Sequence, residues 1–164
     1  MKKRNYICGT LAVVWMIIIF SFSARTSDVS TNDSNRIGLL IGKTFIHEFN
    51  EWEEEKQIEF AKKIDHPIRK TAHAMEYAVL GALVAGTFIT LKRTMASRIL
   101  IPWLIATIYA ASDEFHQLFV AGRSGQVSDV MLDSTGVMAG VLIIVFILWK
   151  KEKYSNSRMH FNSF

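Results

Sequence analysis

Four apolar runs dominate the chain, separated by polar segments: Tyr6–Phe22, Ala72–Leu91, Ile99–Val120 and Val130–Trp149. Each is close to the roughly 20 residues that carry an α-helix across a bilayer. The pattern predicts an all-α, polytopic membrane protein with four transmembrane helices at about 6–23, 67–91, 98–120 and 129–149. Pro67 is expected to open the second helix, where its missing N–H costs nothing, and Ser128 or Asp129 to cap the fourth. The first run has a secretory-signal look, with "KKR" before it and Ser21 and Ser23 near its end. Its apolar core is longer than a signal's, so it is read as a retained helix.

Between the first two runs lies an outer connection, 24–66. Its start, "ARTSDVSTNDSN", is rich in turn formers and reads as an irregular loop. Ile37, Leu40, Ile41, Thr44, Phe45 and Phe49 then recur at helical spacing, followed by Ile58, Phe60, Ala61 and Ile64. That spacing predicts one or two amphipathic helices on the outer membrane surface or over the helix ends. The remainder is a single membrane domain over 1–150, with a polar cytoplasmic tail at 151–164. Small residues at four-residue intervals (Ala78, Ala82, Gly86; Ala106, Ala110; Gly136, Gly140) mark faces where helix backbones can approach closely.

Composition agrees with this class: of 164 residues, 50% are hydrophobic. The single cysteine, Cys8, excludes an intrachain disulfide framework and a cysteine-rich metal site. The net charge of +4 is not gathered on a soluble segment, and no nucleic-acid module is present. Basic residues instead sit tight against helix ends: Lys2, Lys3 and Arg4; Lys92, Arg93 and Arg98; Lys150, Lys151, Lys153 and Arg158. With four crossings these share one side, which places both termini in the cytoplasm. Of the 15 acidic residues, only Glu152 then falls on that side.

The acids and imidazoles gather on the other side. Lys70, His73, Glu76 and Tyr77 are three and four apart on the second helix and share a face. Glu76 lies about 6 Å inside the apolar run. Asp113, His116 and Gln117 share a face on the third helix, with Glu114 to one side, and Asp129 and Asp133 are one turn apart on the fourth. Ionisable groups at such depth are costly unless they face the bundle interior and are paired. Their convergence into one outward-opening pocket, with Arg69, Lys70 and Arg123 nearby, follows from that cost.

Three roles for the pocket stay open. It could be a structural network in which the three basic residues neutralise Glu76, Asp113, Glu114 and Asp129. It could hold a divalent metal as cofactor for hydrolysis or transfer on an envelope lipid, with His73, Glu76, Asp113 and His116 the foremost ligand candidates among a wider set including Glu114, Asp129 and Asp133. No HExxH-type string supports that. Or Arg69, Lys70 and Arg123 could bind an anionic headgroup, helped by backbone N–H groups of the "GRSG" turn at Gly122–Gly125. Glu76, Glu114 and His116 are the candidates for acid–base work, and no nucleophile elbow or phosphate loop is visible. Whether the protein is an enzyme is not decided by these residues.

The strings "FSFSA" (20–24), "RKTAHAMEYAVLG" (69–81) and "SDEFHQLFVAGRSGQVSDVMLDSTG" (112–136) resemble the VanZ-like family of bacterial membrane proteins, over about residues 6–149. The family's motifs map onto Arg69, Lys70, His73, Glu76, Tyr77, Asp113, Glu114, His116, Gln117, Gly122, Arg123, Asp129, Asp133 and Gly136. Two positions depart from its pattern: Ala121 stands where Pro is usual, and Arg25 near where Gln often follows the Ser pair. The resemblance implies a protein of the bacterial cytoplasmic membrane and an association with low-level resistance to teicoplanin, a lipid-bearing glycopeptide antibiotic. The pocket itself is expected to take a membrane lipid, lipid-linked envelope component or lipoglycopeptide as its partner.

Overall fold

All regular structure in the described residues is helical. The computed structural model describes residues 2–88 and 94–161. Its elements are α1 (Lys2–Ser23), α2 (Ser27–Phe45), a short 3-10 turn (Phe49–Glu51), α3 (Glu54–Phe88), α4 (Met95–Gln117) and α5 (Val127–Phe161). Among the described residues, three helices are long and apolar enough to cross a membrane: α1, α4 and α5. In α3 the polar His73 and Glu76 interrupt the apolar run, and its end at 89–91 lies outside the described residues. Lys92 and Arg93, used above to orient the chain, also lie outside them.

Several boundaries differ from the pattern-based expectation. The segment read as an irregular loop is the start of α2, and the second long helix begins at Glu54 rather than at Pro67. Pro67 sits inside α3, where it cannot donate to the carbonyl one turn earlier. The α2 helix forms despite its Ser, Thr, Asp and Asn because a buried stripe packs: Ser34 and Gly38 on the outer part of α3, and Gly42 on Phe49 of the 3-10 turn. Packing of one face outweighs weak local propensity. The fourth long helix starts at Val127, so neither Ser128 nor Asp129 is its cap, and it continues into the expected tail. The third spans Met95–Gln117, displaced by about one turn from expectation, because Thr94 caps it through a 3.3 Å bond accepted from the Ser97 N–H.

The α3 helix is the axis of the molecule and touches α1, α2, α4 and α5. Its contact with α5 is backbone on backbone: a Cβ at Gly81 would meet the Val137 carbonyl, one at Gly136 the Ala74 carbonyl, and one at Gly140 the Ala78 carbonyl. Around this seam lie Tyr77, Leu80, Val84, Ala106, Ala110, Val137 and Val141, all buried. Two side-chain bonds dock α1: the Trp15 indole N–H donates to the Glu76 carbonyl (2.9 Å), and the Tyr109 hydroxyl to the Met16 carbonyl (2.7 Å). The outside of the bundle is apolar, with Ile17, Leu104, Ile108 and Phe146 exposed, while Asp113, Glu114 and Asp133 are inside. This inversion of the water-soluble arrangement is what a lipid solvent selects.

Antiparallel to α2, the first turns of α3 complete an outer helical hairpin. Gly38 brings α2 against Ala61, and Ser34 donates to the Asp65 carboxylate. The turn end is closed by Phe49, which packs against Trp52 and Phe60 at ring separations of 5.0 and 5.4 Å. This hairpin forms one wall of the candidate site.

Candidate functional site

A cavity of about 490 Å³ opens where the α1–α2 and α4–α5 connections meet α3. From α3 come Arg69, Lys70, His73 and Glu76, which the 3.6-residue period sets on successive turns of one face. From α2 come Ser30, Asp33, Ser34 and Ile37; Gln117, Arg123 and Asp129 close the far side. Gly122, at φ 72°, turns the chain so that Arg123 points inward under α2.

Arg123 is the hub. Its Nε donates to the Arg25 carbonyl (2.8 Å), Nη1 to the Gln117 amide oxygen (3.4 Å), and Nη2 to the Phe22 carbonyl (3.4 Å) and the Ser30 hydroxyl. Every one of these acceptors is neutral. Burial weakens the guanidinium's hold on its proton, and Arg69 adds to that, while Asp113, Glu114 and Glu76 oppose it. An arginine nonetheless stays charged. The other three cations at the rim are matched by carboxylates: Arg25 by Asp33 (3.0 Å), Arg69 by Asp65 (2.9 Å) and Lys70 by Asp129. The last pair ties α3 to α5.

Beneath the cavity runs a buried polar floor. Asp113, only 3% exposed, accepts from the Tyr77 hydroxyl (3.0 Å) and from the Gln117 amide (3.5 Å). Gln117 also donates to Glu114 (3.2 Å), whose other oxygen accepts the Gln126 backbone N–H at 3.0 Å. The floor thereby fixes the turn that carries Arg123. Asp133 is 1% exposed, and its Oδ1, like the Asp113 Oδ1 and His73 Nδ1, has no hydrogen-bond partner among the described residues.

Of the residues predicted from sequence, Arg69, Lys70, His73, Glu76, Gln117, Arg123 and Asp129 line the cavity. Tyr77, Asp113, Glu114 and Asp133 lie outside its lining, three of them in the bonded floor. His116 goes elsewhere: its ring packs 4.5 Å from that of Phe20 on α1. Residues 116 and 117 diverge by about 100° around the helix, so a face wide enough to include both is split between two neighbours. Among the described residues no three or more His, Cys, Asp or Glu side chains are grouped to hold a metal ion, so the proposed set His73, Glu76, Asp113 and His116 is not assembled. The "GRSG" turn spends its Arg123 N–H on the Val120 carbonyl (3.1 Å). Ser134 is held by Trp103 (3.0 Å) and Thr107 (3.1 Å), which gives it a place in the α4–α5 contact.

Sequence reading missed Ser30, Asp33 and Ser34. Their signal was the small-residue stripe Ser34, Gly38, Gly42, the same four-residue spacing that marked the other helices. It was hidden by turn-forming neighbours.

No curated protein and no solved structure matches the chain. A family model described as VanZ/LLP1 matches residues 9–149, a stretch that contains the whole cavity, its floor and the α3–α5 seam, and the chain belongs to that family.

Proposed function

We propose that this is a four-span protein of a bacterial cytoplasmic membrane whose outward-facing cavity binds the anionic headgroup of an envelope lipid, a lipid-linked precursor or a lipoglycopeptide. In this reading α3 is the fourth crossing. Its 35 residues extend about 52 Å, more than the roughly 30 Å hydrocarbon core, so the Glu54 end projects with α2 beyond the bilayer. The basic ends at Lys3 and Arg4 and at Lys150 and Lys151 support a cytoplasmic assignment of the opposite side.

The observation that carries the binding role is Arg123. Its charge is held in a half-enclosed cavity by carbonyls, a hydroxyl and an amide, none of which neutralises it. Asp113, Glu114 and Glu76 act on it through space, without a direct ion pair among the described residues. A phosphate or carboxylate would supply a bonded counter-charge by taking the remaining guanidinium N–H and replacing a neutral acceptor. Lys70 and Arg69, each already paired, would raise the local potential without competing for the same position. The reading extends to lowered susceptibility towards lipid-bearing glycopeptides, the association that the family resemblance implies.

The test is an inventory of lipids that co-purify with the protein, alongside binding of sn-glycerol 1-phosphate as a soluble headgroup. Anionic lipid should co-purify with the parent chain, and Arg123→Ala should lose both it and glycerol phosphate while staying folded. Arg123→Lys, lacking the fork, should restore little. Protein that is well folded yet carries no anionic lipid and ignores the headgroup would overturn the reading.

A further inference from the structure

A second hollow, of about 380 Å³, runs down the outside of the bundle between α3 and α5. It begins at Lys70, the same residue that lines the headgroup cavity, and continues past Thr71, Met75 and Ala78 on α3 and Thr135 and Ala139 on α5. Below Lys70 the groove holds no charged side chain. Its depth follows from the seam: where Gly136 lets the two backbones touch, a furrow is left between the flanking Met75 and Leu132. From Lys70 to Ala78 it descends about 12 Å along the helix axis. The Lys70–Asp129 pair is thus a sill, with a polar cavity on one side and an apolar channel on the other.

We infer that this groove holds an acyl chain of the same molecule whose anionic headgroup occupies the cavity. The ligand is then a phosphate- or carboxylate-headed lipid taken from the bilayer, rather than a soluble anion, and it enters over Lys70. The inference rests on the headgroup reading above and adds to it the tail and the route. Both features are needed to single out this occupant: the groove alone would fit any lipid chain, and the cavity alone any small anion. A shared lysine at their junction joins charge recognition to chain burial. The groove is lined by α3 and α5 only. A chain lying in it faces the membrane along its length and leaves no helix to displace.

Calorimetry on the full chain in detergent, with dioleoyl and water-soluble dibutyryl phosphatidic acid, separates the two levels. The parent protein should bind the dioleoyl form at least about tenfold more tightly, the gain from burying two or more methylene groups. Ala139→Trp and Thr135→Phe fill the groove from its exposed side, away from the seam. Each should bring dioleoyl affinity down to the dibutyryl level and leave dibutyryl binding unchanged. If both variants bind both lipids as the parent does, the groove inference is wrong and the headgroup reading stands. If the parent binds neither lipid, the headgroup reading fails and takes this one with it.

Photo-crosslinking of the parent protein with a diazirine-tailed phosphatidic acid needs no variant to fold. Label should concentrate on Thr71, Met75 and Ala139; label spread over α1 would overturn the assignment. Disulfide-linked dimers of an Ala139→Cys chain, absent from the parent, would show the groove to be covered by a second copy instead.

Discussion

The two halves of α3 are held in different proportions by backbone approach and by side chains. Towards Phe88 it meets α5 through glycines, and the Ala74, Ala78 and Val137 carbonyls lie against positions 136, 140 and 81 with no room for a methyl group. Towards Glu54 it meets α2 with one such close approach, Gly38 on the Ala61 backbone, and otherwise through side chains: the Ser34–Asp65 bond, and Phe49 of the 3-10 turn wedged between Gly42 and Phe60. The contrast fits the proposed crossing, in which the Phe88 end of α3 lies in lipid and the Glu54 end beyond it. In lipid there is no apolar gain from hiding one helix on another, so close backbone approach is what holds a pair together. Beyond the lipid, aromatic burial and hydrogen bonds do the work. The candidate site lies between the two halves, beside Pro67.

The harshest way to break the contrast is on the inner half. Gly140→Leu would drive a side chain into the Ala78 carbonyl, which belongs to a helix backbone and cannot swing away. Overpacking of this kind should cost about 3 kcal/mol or more. Denaturant or thermal unfolding in detergent should show the loss, with the cavity abolished along with the seam. A Gly140→Leu chain as stable as the parent would mean that the seam is loose and that the two halves of α3 are not so different.

The outer half should yield more gently. Gly42→Ala places a methyl group under the Phe49 ring, a side chain that can shift, though it is almost fully buried. A cost of about 1–2 kcal/mol is expected, confined to the hairpin. Limited trypsin digestion should then cut sooner after Lys43 or Lys62, while the membrane helices unfold as before. Global destabilisation equal to that of Gly140→Leu would show that hairpin and bundle form one cooperative unit.

This division also explains what the sequence disclosed. The membrane half was readable because lipid imposes long apolar runs, and the depth of Glu76, Asp113 and Asp133 forced them inward whatever the details. The cost of an unpaired charge is a global constraint, so it survives ignorance of the packing. The hairpin was less readable, since α2 is helical by virtue of what it packs on, and Pro67 is as compatible with a helix start as with a point inside one. The site divided the same way. Arg69, Lys70, His73 and Glu76 of α3 line the cavity while Tyr77 lies beneath it, the α2 wall was missed, and His116 faces α1. No local rule tells which neighbour a given side of α4 faces.

The mildest prediction concerns Arg25, at the junction itself, near where the family resemblance implies a Gln. Its side chain pairs with Asp33, but the two are 44% and 49% exposed, and its guanidinium lies 4.5 Å over the Phe22 ring in an open position. Exposed pairs and stacks of this kind are worth less than about 1 kcal/mol. What Arg123 takes from residue 25 is the backbone carbonyl, which any residue supplies. Arg25→Gln should therefore leave stability within about 0.5 kcal/mol of the parent and headgroup affinity within a few fold. A loss of affinity as deep as that of Arg123→Ala, in folded protein, would make the Arg25 side chain a direct partner of the ligand. The junction would then recognise charge from α2's side as well as from the α4–α5 turn, and the outer hairpin would be part of the binding apparatus rather than the wall behind it.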